Sequence, residues 1–244
     1  MKLLAFDTST DSMSVAVSAG SQLWQRSGPG GAQASSTLIP MLLELLAQAG
    51  LTVGDLDALA FGRGPGSFTG LRTACSVAQG LGLGANAGAG LPVLAIDSLL
   101  ALAEEARFQQ ALSNEGRSLQ VLALLDARMD EIYQQRFVHA DGQWTALGVC
   151  SLVRPENLRL LPADQLLAGN VFEVYRDRLP ARPSALAGVS ALPTASAMLR
   201  LAPALLASGQ ALSAAQALPL YIRDKVALTT EERAQVKAAQ ALKP

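Results

Sequence analysis

The chain is poor in the residues from which metal sites and disulfide frameworks are built. Its 244 residues include two cysteines and one histidine. Cys75 and Cys150 lie far apart in the sequence, whereas zinc sites and disulfide-rich domains use closely spaced sets of cysteines. We therefore expect no metal site and no disulfide, and we interpret the two thiols as typical of a reducing compartment.

Charged residues are also scarce. Only 16% of the residues are Asp, Glu, Lys or Arg, the net charge is −1, and no run of basic residues occurs. Proteins that grip nucleic acid on their own neutralise its phosphates with clustered Lys and Arg side chains. The composition thus argues against direct nucleic-acid binding by this chain.

Long apolar segments are missing as well. After Met1 and Lys2 only four apolar residues precede Asp7, fewer than the core of a signal peptide contains. No segment approaches the roughly 20 apolar residues that a membrane-spanning helix requires. Because 50% of the residues are hydrophobic, a sizeable packed core is expected. These features predict a cytoplasmic protein without membrane contact.

Short apolar strands alternate with amphipathic helices along the chain, which predicts an α/β fold. Strands at 2–6 and 13–17 are expected to form a hairpin, followed by a glycine-rich loop at 28–31. A helix is predicted at 37–49, where leucine and methionine recur at helical spacing. A second helix is predicted at 71–84, and it is rich in small residues.

The opening pattern of the chain recurs in its second part. A strand, an aspartate and a second strand occupy 2–17, and the same order returns over 119–138, around Asp126. Such a repeat predicts a duplicated fold with two similar α/β halves. A helix at 192–208 is a candidate for packing back onto the first half. The expected division is an N-terminal half (1–112), a C-terminal half (113–228) and a polar tail (229–244).

A glycine-rich run at 62–70 (GRGPGSFTG) links a predicted strand to the helix at 71–84. Such a turn can bind phosphate, because glycine lets a ligand approach the backbone and a helix N-terminus attracts anions. The run lacks the Gly-Lys-Ser/Thr ending of a Walker loop, and its spacing differs from G-x-G-x-x-G. A tight strand-to-helix turn is the structural alternative. The candidate cofactor-binding residues are Asp7, Gly64, Gly66 and Ser67.

Six motifs occur in order along the chain. They are FDTST at 6–10, GRGPGSFTGLR at 62–72, AQGL at 78–81, DARM at 126–129, EIY at 131–133 and PLYIR at 219–223. Together they closely resemble the bacterial TsaB (YeaZ) family over residues 2–227. The resemblance implies an actin-like, sugar-kinase-like (ASKHA) duplicated fold with two similar subdomains, each a mixed sheet flanked by helices.

The resemblance also implies a role in making N6-threonylcarbamoyladenosine, a modified base beside the anticodon of tRNA. In that pathway TsaD transfers the threonylcarbamoyl group from threonylcarbamoyl-AMP to adenine. TsaB is implied to be a non-catalytic partner, a pseudoenzyme that pairs with TsaD, with the ATPase TsaE as a third component. Its contact with tRNA would be indirect. Neither the residues nor the resemblance assigns a role to Arg128, Glu131 and Tyr133.

TsaD-type proteins carry a His-x-x-x-His pair on the helix after the strand that matches 92–96. In this chain those positions fall at about Ser98 and Leu102, and leucine cannot ligate a metal. We therefore expect no catalytic residue and no metal ligand at this place. The one histidine, His139, is expected on a hairpin turn.

The ATP-binding motifs of the resembled fold are also incomplete. Its ATPases place a glycine after the strand-end aspartate of each phosphate loop, and a Gly-Gly pair against adenosine. Here Thr8 follows Asp7, Ala127 follows Asp126, and Gly169 stands without a second glycine. We expect no cofactor in the chain alone, with ATP or ADP only at an interface shared with the partner. A stand-alone ATPase or phosphotransferase of the same fold is the alternative.

In the resembled family the first two helices form the surface that binds TsaD, or a second TsaB copy when TsaD is absent. Small residues spaced four apart give the second helix a smooth face that permits close approach. The alternative is that both helices only cover their own sheet. The residues expected at the partner interface are Leu38, Met41, Leu42, Leu45, Phe68, Leu71, Ala74, Cys75, Ala78 and Gly82.

Overall fold

The structure is a computed structural model that describes residues 1–85, 90–111, 118–161, 164, 166–181 and 187–223. The polar tail predicted at 229–244 lies outside these residues. The α-helices are α1 (Ala34–Gln48), α2 (Phe68–Gly84), α3 (Ser98–Gln109), α4 (Val171–Tyr175) and α5 (Ala195–Ala207). The strands are β1 (Lys2–Asp7), β2 (Ser12–Ala19), β3 (Gln22–Pro29), β4 (Ala58–Gly64), β5 (Val93–Asp97), β6 (Leu119–Asp126), β7 (Ile132–Ala140), β8 (Gln143–Val153), β9 (Leu166–Gly169) and β10 (Ala187–Ser190).

The first sheet has the strand order β3-β2-β1-β4-β5. Its central strand, β1, pairs antiparallel with β2 and parallel with β4. Successive side chains of a strand point to opposite faces of the sheet. Leu4 and Phe6 accordingly pack toward α1 and α2, whereas Leu3 and Ala5 pack toward α5. One short apolar strand therefore contributes to two separate cores.

The second sheet has the same topology as the first, with β6 to β10 in the places of β1 to β5. Its order is β10-β9-β6-β7-β8, and β6 pairs antiparallel with β7 and parallel with β9. The predicted duplicated α/β fold is thereby confirmed. The halves differ in their helices, because the connection from β4 to β5 holds the 17-residue α2 and that from β9 to β10 holds the five-residue α4.

Two helices cross between the halves. α3 follows β5 but packs with β6 and β7, while α5 follows β10 but packs on β1 and β2. Glu104 of α3 is 2% exposed at this junction. Its carboxylate accepts hydrogen bonds from Arg107, from the Trp144 indole and from Arg200 of α5 at 2.8 to 3.0 Å. This buried network joins elements of both halves.

The local predictions differ from the structure at several places. Both α1 and α2 begin three residues before their predicted starts, and Ser67 caps α2 by accepting a hydrogen bond from the Gly70 N–H. The region predicted only as a loop at 28–31 belongs in part to β3. This edge strand is exposed along most of its length, so its residues show no apolar alternation. In the described part of the chain, no helix combines the length and hydropathy that a membrane span needs.

Candidate functional site

The glycine-rich run lies where β4 ends and α2 begins, against the turn that follows β1. A Cβ atom on Gly62 would lie 1.8 Å from the carboxylate of Asp7. One on Gly70 would lie 1.8 Å from the carbonyl oxygen of Thr8, whose hydroxyl donates to the Gly70 carbonyl at 2.7 Å. Because no side chain fits at either place, these glycines are required by the close approach of the two turns.

The middle of the glycine-rich run, Gly64 to Ser67, is also in close contact with other parts of the chain. A Cβ atom on Gly66 would lie 2.4 Å from the carbonyl oxygen of Ser9, and the Ser67 N–H donates to that oxygen at 2.7 Å. Gly64 has a φ of +121°, and a Cβ there would lie 2.6 Å from the carbonyl oxygen of Leu220. The candidate residues Gly64, Gly66 and Ser67 thus contact other parts of the same chain. These contacts support the structural alternative, a tight strand-to-helix turn.

Asp7 is fully buried at the end of β1. Ser9 donates to its Oδ1 from the backbone N–H at 2.8 Å and from the hydroxyl at 2.6 Å, and the Ser98 hydroxyl donates to its Oδ2 at 3.2 Å. Burial raises the pKa of Asp7 to about 6, and the hydrogen bonds from Ser9 and Ser98 limit that rise. Both carboxylate oxygens therefore have partners inside the chain.

The positions that match the TsaD histidine pair lie in the interior. Ser98 bonds to Asp7, and Leu102 has no exposed surface in the core of the second sheet. His139 lies within β7 and not on a hairpin turn, so that prediction is wrong; its ring centroid is 4.9 Å from that of Trp144. Within the described ranges no group of three or more His, Cys, Asp or Glu side chains could hold a metal ion.

The turns after β1 and β6 face each other across a cleft with a cavity of about 390 Å³. Asp11 lines it from the first half, Asp126 and Arg128 from the second, and Arg223 from the end of the described chain. Tyr133, 7% exposed, also lines the cavity. Arg128 forms an ion pair with Asp11 across the cleft and lies 3.7 Å from the Asp126 carboxylate. Side chains of opposite charge thus bridge the two turns.

The turn after β6 is held by polar contacts. Asp126 Oδ1 accepts hydrogen bonds from the Tyr175 hydroxyl at 2.7 Å and from the Arg128 N–H at 2.9 Å. The Asp126 N–H donates to Asn170 Oδ1 at 2.8 Å. Burial, together with the hydrogen bond to Asp126, raises the pKa of Tyr175. Residues 128–130 all have positive φ, which is uncommon for residues other than glycine. A strained turn of this kind persists only where its surroundings hold it.

The last described residues, 213–223, run from α2 across the cleft to the second half, and we call them the C-terminal strap. Tyr221 packs against Phe68 at the start of α2, with ring centroids 5.3 Å apart. Arg223 donates to the Glu131 carboxylate at 2.5 Å. The sequence left Glu131 without a role, because no sequence pattern indicates a contact between residues so far apart. The structure identifies it as part of a contact between the strap and the second half.

Most of the residues predicted at the partner interface lie in the core of the chain. Six of them pack in the core that α1 and α2 form with the first sheet, whereas Leu71 lies beside the cleft and Gly82 against Ala214. All eight are buried in the folded chain and are not available to a partner. Met41 is half-buried, and Phe68 is 36% exposed. The prediction is therefore corrected for the buried residues, which are Leu38, Leu42, Leu45, Leu71, Ala74, Cys75, Ala78 and Gly82.

The outward side of α1 and α2 carries other residues. Ile39 and Leu43 of α1 and Leu83 of α2 are exposed large apolar side chains. Gly80 lies inside α2, and apart from the nearby backbone of its own helix no described atom comes within 4 Å of a Cβ built on it. Glycine inside a helix costs about 1 kcal/mol relative to alanine, and no described contact within the chain requires it here. We use the name outer helix face for the exposed Ile39 and Leu43 of α1 and Gly80 and Leu83 of α2; Phe68, at the start of α2, lines the cleft and is not counted with them.

Comparisons with known proteins agree with one another. The family model described as "TsaD: tRNA N6-adenosine threonylcarbamoyltransferase" matches residues 31–241. The chain is 32% identical to an Escherichia coli protein named "tRNA threonylcarbamoyladenosine biosynthesis protein TsaB", covering 93% of this chain and 96% of that protein. A Haemophilus influenzae protein of the same name is 34% identical, with 93% of this chain and 95% of that protein covered.

Two solved structures from Pseudomonas aeruginosa are also similar. The one titled "YeaZ from Pseudomonas aeruginosa" is 36% identical with a TM-score of 0.77, and the match covers 90% of this chain and 99% of that one. The other, an uncharacterized protein "with similarity to peptidase YEAZ", is 37% identical with a TM-score of 0.78, covering 91% and 99%. With sequence and fold matched over nearly their whole length, the chain belongs to the TsaB (YeaZ) family.

Proposed function

We propose that the chain is a non-catalytic subunit of the cytoplasmic machinery that makes N6-threonylcarbamoyladenosine in tRNA. It pairs with TsaD, TsaE acts as a third component, and tRNA is contacted only indirectly. The relatives at 32% and 34% identity are named for this pathway. A net charge of −1 fits a subunit that leaves tRNA binding to its partner.

Two buried positions of the chain support the non-catalytic part of the proposal. Asp7, the strand-end aspartate, is buried with both oxygens bonded, and Leu102 replaces a ligand histidine of the TsaD type. The glycines of the run at 62–70 are required by packing. We therefore propose that the chain alone has no catalytic residue and no cofactor, and that any ATP or ADP lies at an interface shared with TsaD.

The outer helix face is the observation that carries the proposed partnership. It combines exposed apolar side chains with a helical glycine for which the described chain gives no packing reason. Glycine on an exposed helix face allows another backbone to approach closely, and exposed apolar surface favours a protein partner. The same face would pair two copies of this chain when TsaD is absent.

Binding of purified TsaD from the same source tests the partnership. Gly80→Arg places a long charged side chain on the outer helix face without entering the core, so we expect loss of the complex in size-exclusion chromatography. Thr145→Arg, on an exposed position of β8, is the matched control and should bind like the unmodified chain. A complex that survives Gly80→Arg unchanged would place the partner surface elsewhere.

Calorimetry with Mg-ATP addresses the stand-alone ATPase or phosphotransferase. We expect no binding heat from the isolated chain, because the phosphate-loop positions are filled by contacts within the chain. Micromolar binding that is lost in Asp7→Ala would instead favour the enzyme.

A further inference from the structure

The C-terminal strap begins on the first half. Its turn at Ala214–Gln216 packs against α2, and the carbonyl oxygen of Ala217 accepts a hydrogen bond from the Gln79 amide at 2.8 Å. The Leu220 N–H then donates to the carbonyl oxygen of Arg63 at 2.7 Å. The strap is thus fixed to α2 and to the glycine-rich run before it reaches the cleft.

An aromatic and cationic cluster fixes the strap at the mouth of the cleft. The Tyr221 ring packs on Phe68, and the Arg72 guanidinium lies 4.0 Å from the centroid of the Phe68 ring. Arg72 Nε also donates to the Tyr221 hydroxyl at 3.3 Å. Aromatic packing and cation–π contacts are both attractive, so this cluster adds to the backbone contacts of the strap.

Arg223 then enters the second half. Its guanidinium donates to the carbonyl oxygens of Ala127 at 3.1 Å and Arg128 at 3.3 Å, and to the Glu131 carboxylate at 2.5 Å. The side chain is only 17% exposed. A planar guanidinium held by several fixed acceptors forms strong, directional contacts. One side chain therefore ties the first half, through the strap, to the strained turn after β6.

The charged side chains that line the cleft form ion pairs and hydrogen bonds with other groups of the chain. Of the described residues, Arg128 pairs with Asp11, Asp126 accepts from Tyr175, and Arg223 binds the second half. Separation of the halves would break the Asp11–Arg128 pair together with the contacts of Arg223. The first pair is highly exposed and therefore worth little, so on the cleft side the strap contributes more than this pair to holding the halves together, in addition to the buried junction of α3 and α5.

We propose that the C-terminal strap clamps the two halves in one closed arrangement, so that the two sides of the cleft do not move relative to each other. The isolated chain then does not open and close around a ligand. This inference concerns the isolated chain and does not depend on the proposed function.

Distances between spin labels, one on each half, test the clamp by double electron–electron resonance. Gln22→Cys at the start of β3 and Gln143→Cys at the start of β8 provide exposed label sites. Cys75→Ser and Cys150→Ser remove the native thiols, and the serine hydroxyl at 75 keeps a donor toward Ala217. Arg223→Ala is compared with Arg26→Ala, which removes an arginine paired with Glu44 inside the first half.

We expect one narrow distance distribution for the labelled chain, unchanged by Mg-ATP and by about 1 M salt, at which exposed ion pairs are screened. Arg223→Ala should broaden the distribution and extend it to longer distances, whereas Arg26→Ala should leave it unchanged. Glu131→Gln replaces Arg223→Ala if the latter does not fold, as judged by circular dichroism. A broad or ATP-sensitive distribution before mutation, or an equally narrow one after it, overturns the proposal.

Discussion

Gly80 and Gly82 lie two residues apart in α2 but have different surroundings. Gly80 faces open space, whereas a Cβ on Gly82 would lie 2.6 Å from the Cβ of Ala214. Gly80→Ala should therefore raise the free energy of unfolding of the isolated chain by about 1 kcal/mol, the helix propensity difference. Gly82→Ala should lower it, because the strap must shift. Urea denaturation of both variants checks this, and changes of equal sign would contradict it.

The buried carboxyl of Asp7 predicts a pH effect. Its pKa is raised from 3.8 to about 6 in the folded chain, so the folded state binds more protons than the unfolded state between these values. The stabilising protonation is fully present below about pH 4 and is lost as the pH rises through 6. The free energy of unfolding should fall by roughly 3 kcal/mol over this window.

Asp7→Asn should remove this part of the pH dependence. The amide oxygen can accept both hydrogen bonds from Ser9, and the amide N–H can donate to the Ser98 hydroxyl. Urea denaturation from pH 4 to pH 7 compares the variant with the unmodified chain. Parallel pH curves for the two proteins would show that the titrating group is another one.

At the scale of elements, the apolar stripes of α1 and α2 were found in the sequence, but their direction was not. Leu38, Leu42 and Leu45 recur at helical spacing, and this spacing is the same whether the stripe covers a sheet or a partner. In the structure these three leucines pack against the first sheet. Only the tertiary arrangement identifies Ile39 and Leu43 as the exposed pair, because isolated apolar residues outside a stripe give no periodic signal.

The junction of α3 and α5 gives a prediction at the same scale. Burial opposes ionisation of Glu104, but hydrogen bonds from Arg107, Trp144 and Arg200 outweigh it and lower the pKa of Glu104. Glu104→Ala would remove the buried acceptor that the two arginines and the Trp144 indole share, and we expect a loss of about 3–5 kcal/mol in the free energy of unfolding. Glu44→Ala, which removes an exposed pair with Arg26, should cost at most about 1 kcal/mol. Similar costs in chemical denaturation would contradict a structural role for the network.

At the scale of the whole molecule, the duplicated fold could be predicted because each half begins with a strand, an aspartate and a second strand. The contacts that join the two halves could not be predicted from the sequence. Asp11 meets Arg128, and Glu131 meets Arg223, although each pair is separated by about a hundred residues. No periodicity or spacing encodes such a pairing, since it depends on how the two sheets face each other.

The two halves also differ in what they offer a partner. The first half carries α1 and α2, whose outer helix face is apolar, whereas the corresponding connection in the second half is the short α4. The cleft between the halves is bridged by an ion pair and by the C-terminal strap, and the exposed apolar residues of the outer helix face lie on the helices of the first half. This arrangement is consistent with a subunit that acts by binding a partner through its surface. The glycine-rich run connects these features, because it begins α2 and contacts both the turn after β1 and the strap.

The most direct test of a non-catalytic partner subunit is threonylcarbamoyl transfer to tRNA by purified TsaD and TsaE with this chain. Transfer should require the chain, persist with Asp7→Asn and be lost with Gly80→Arg, because we assign the function to the outer helix face and not to the buried aspartate at the end of β1. Loss of transfer in Asp7→Asn with the complex intact, or full transfer with Gly80→Arg, would contradict it.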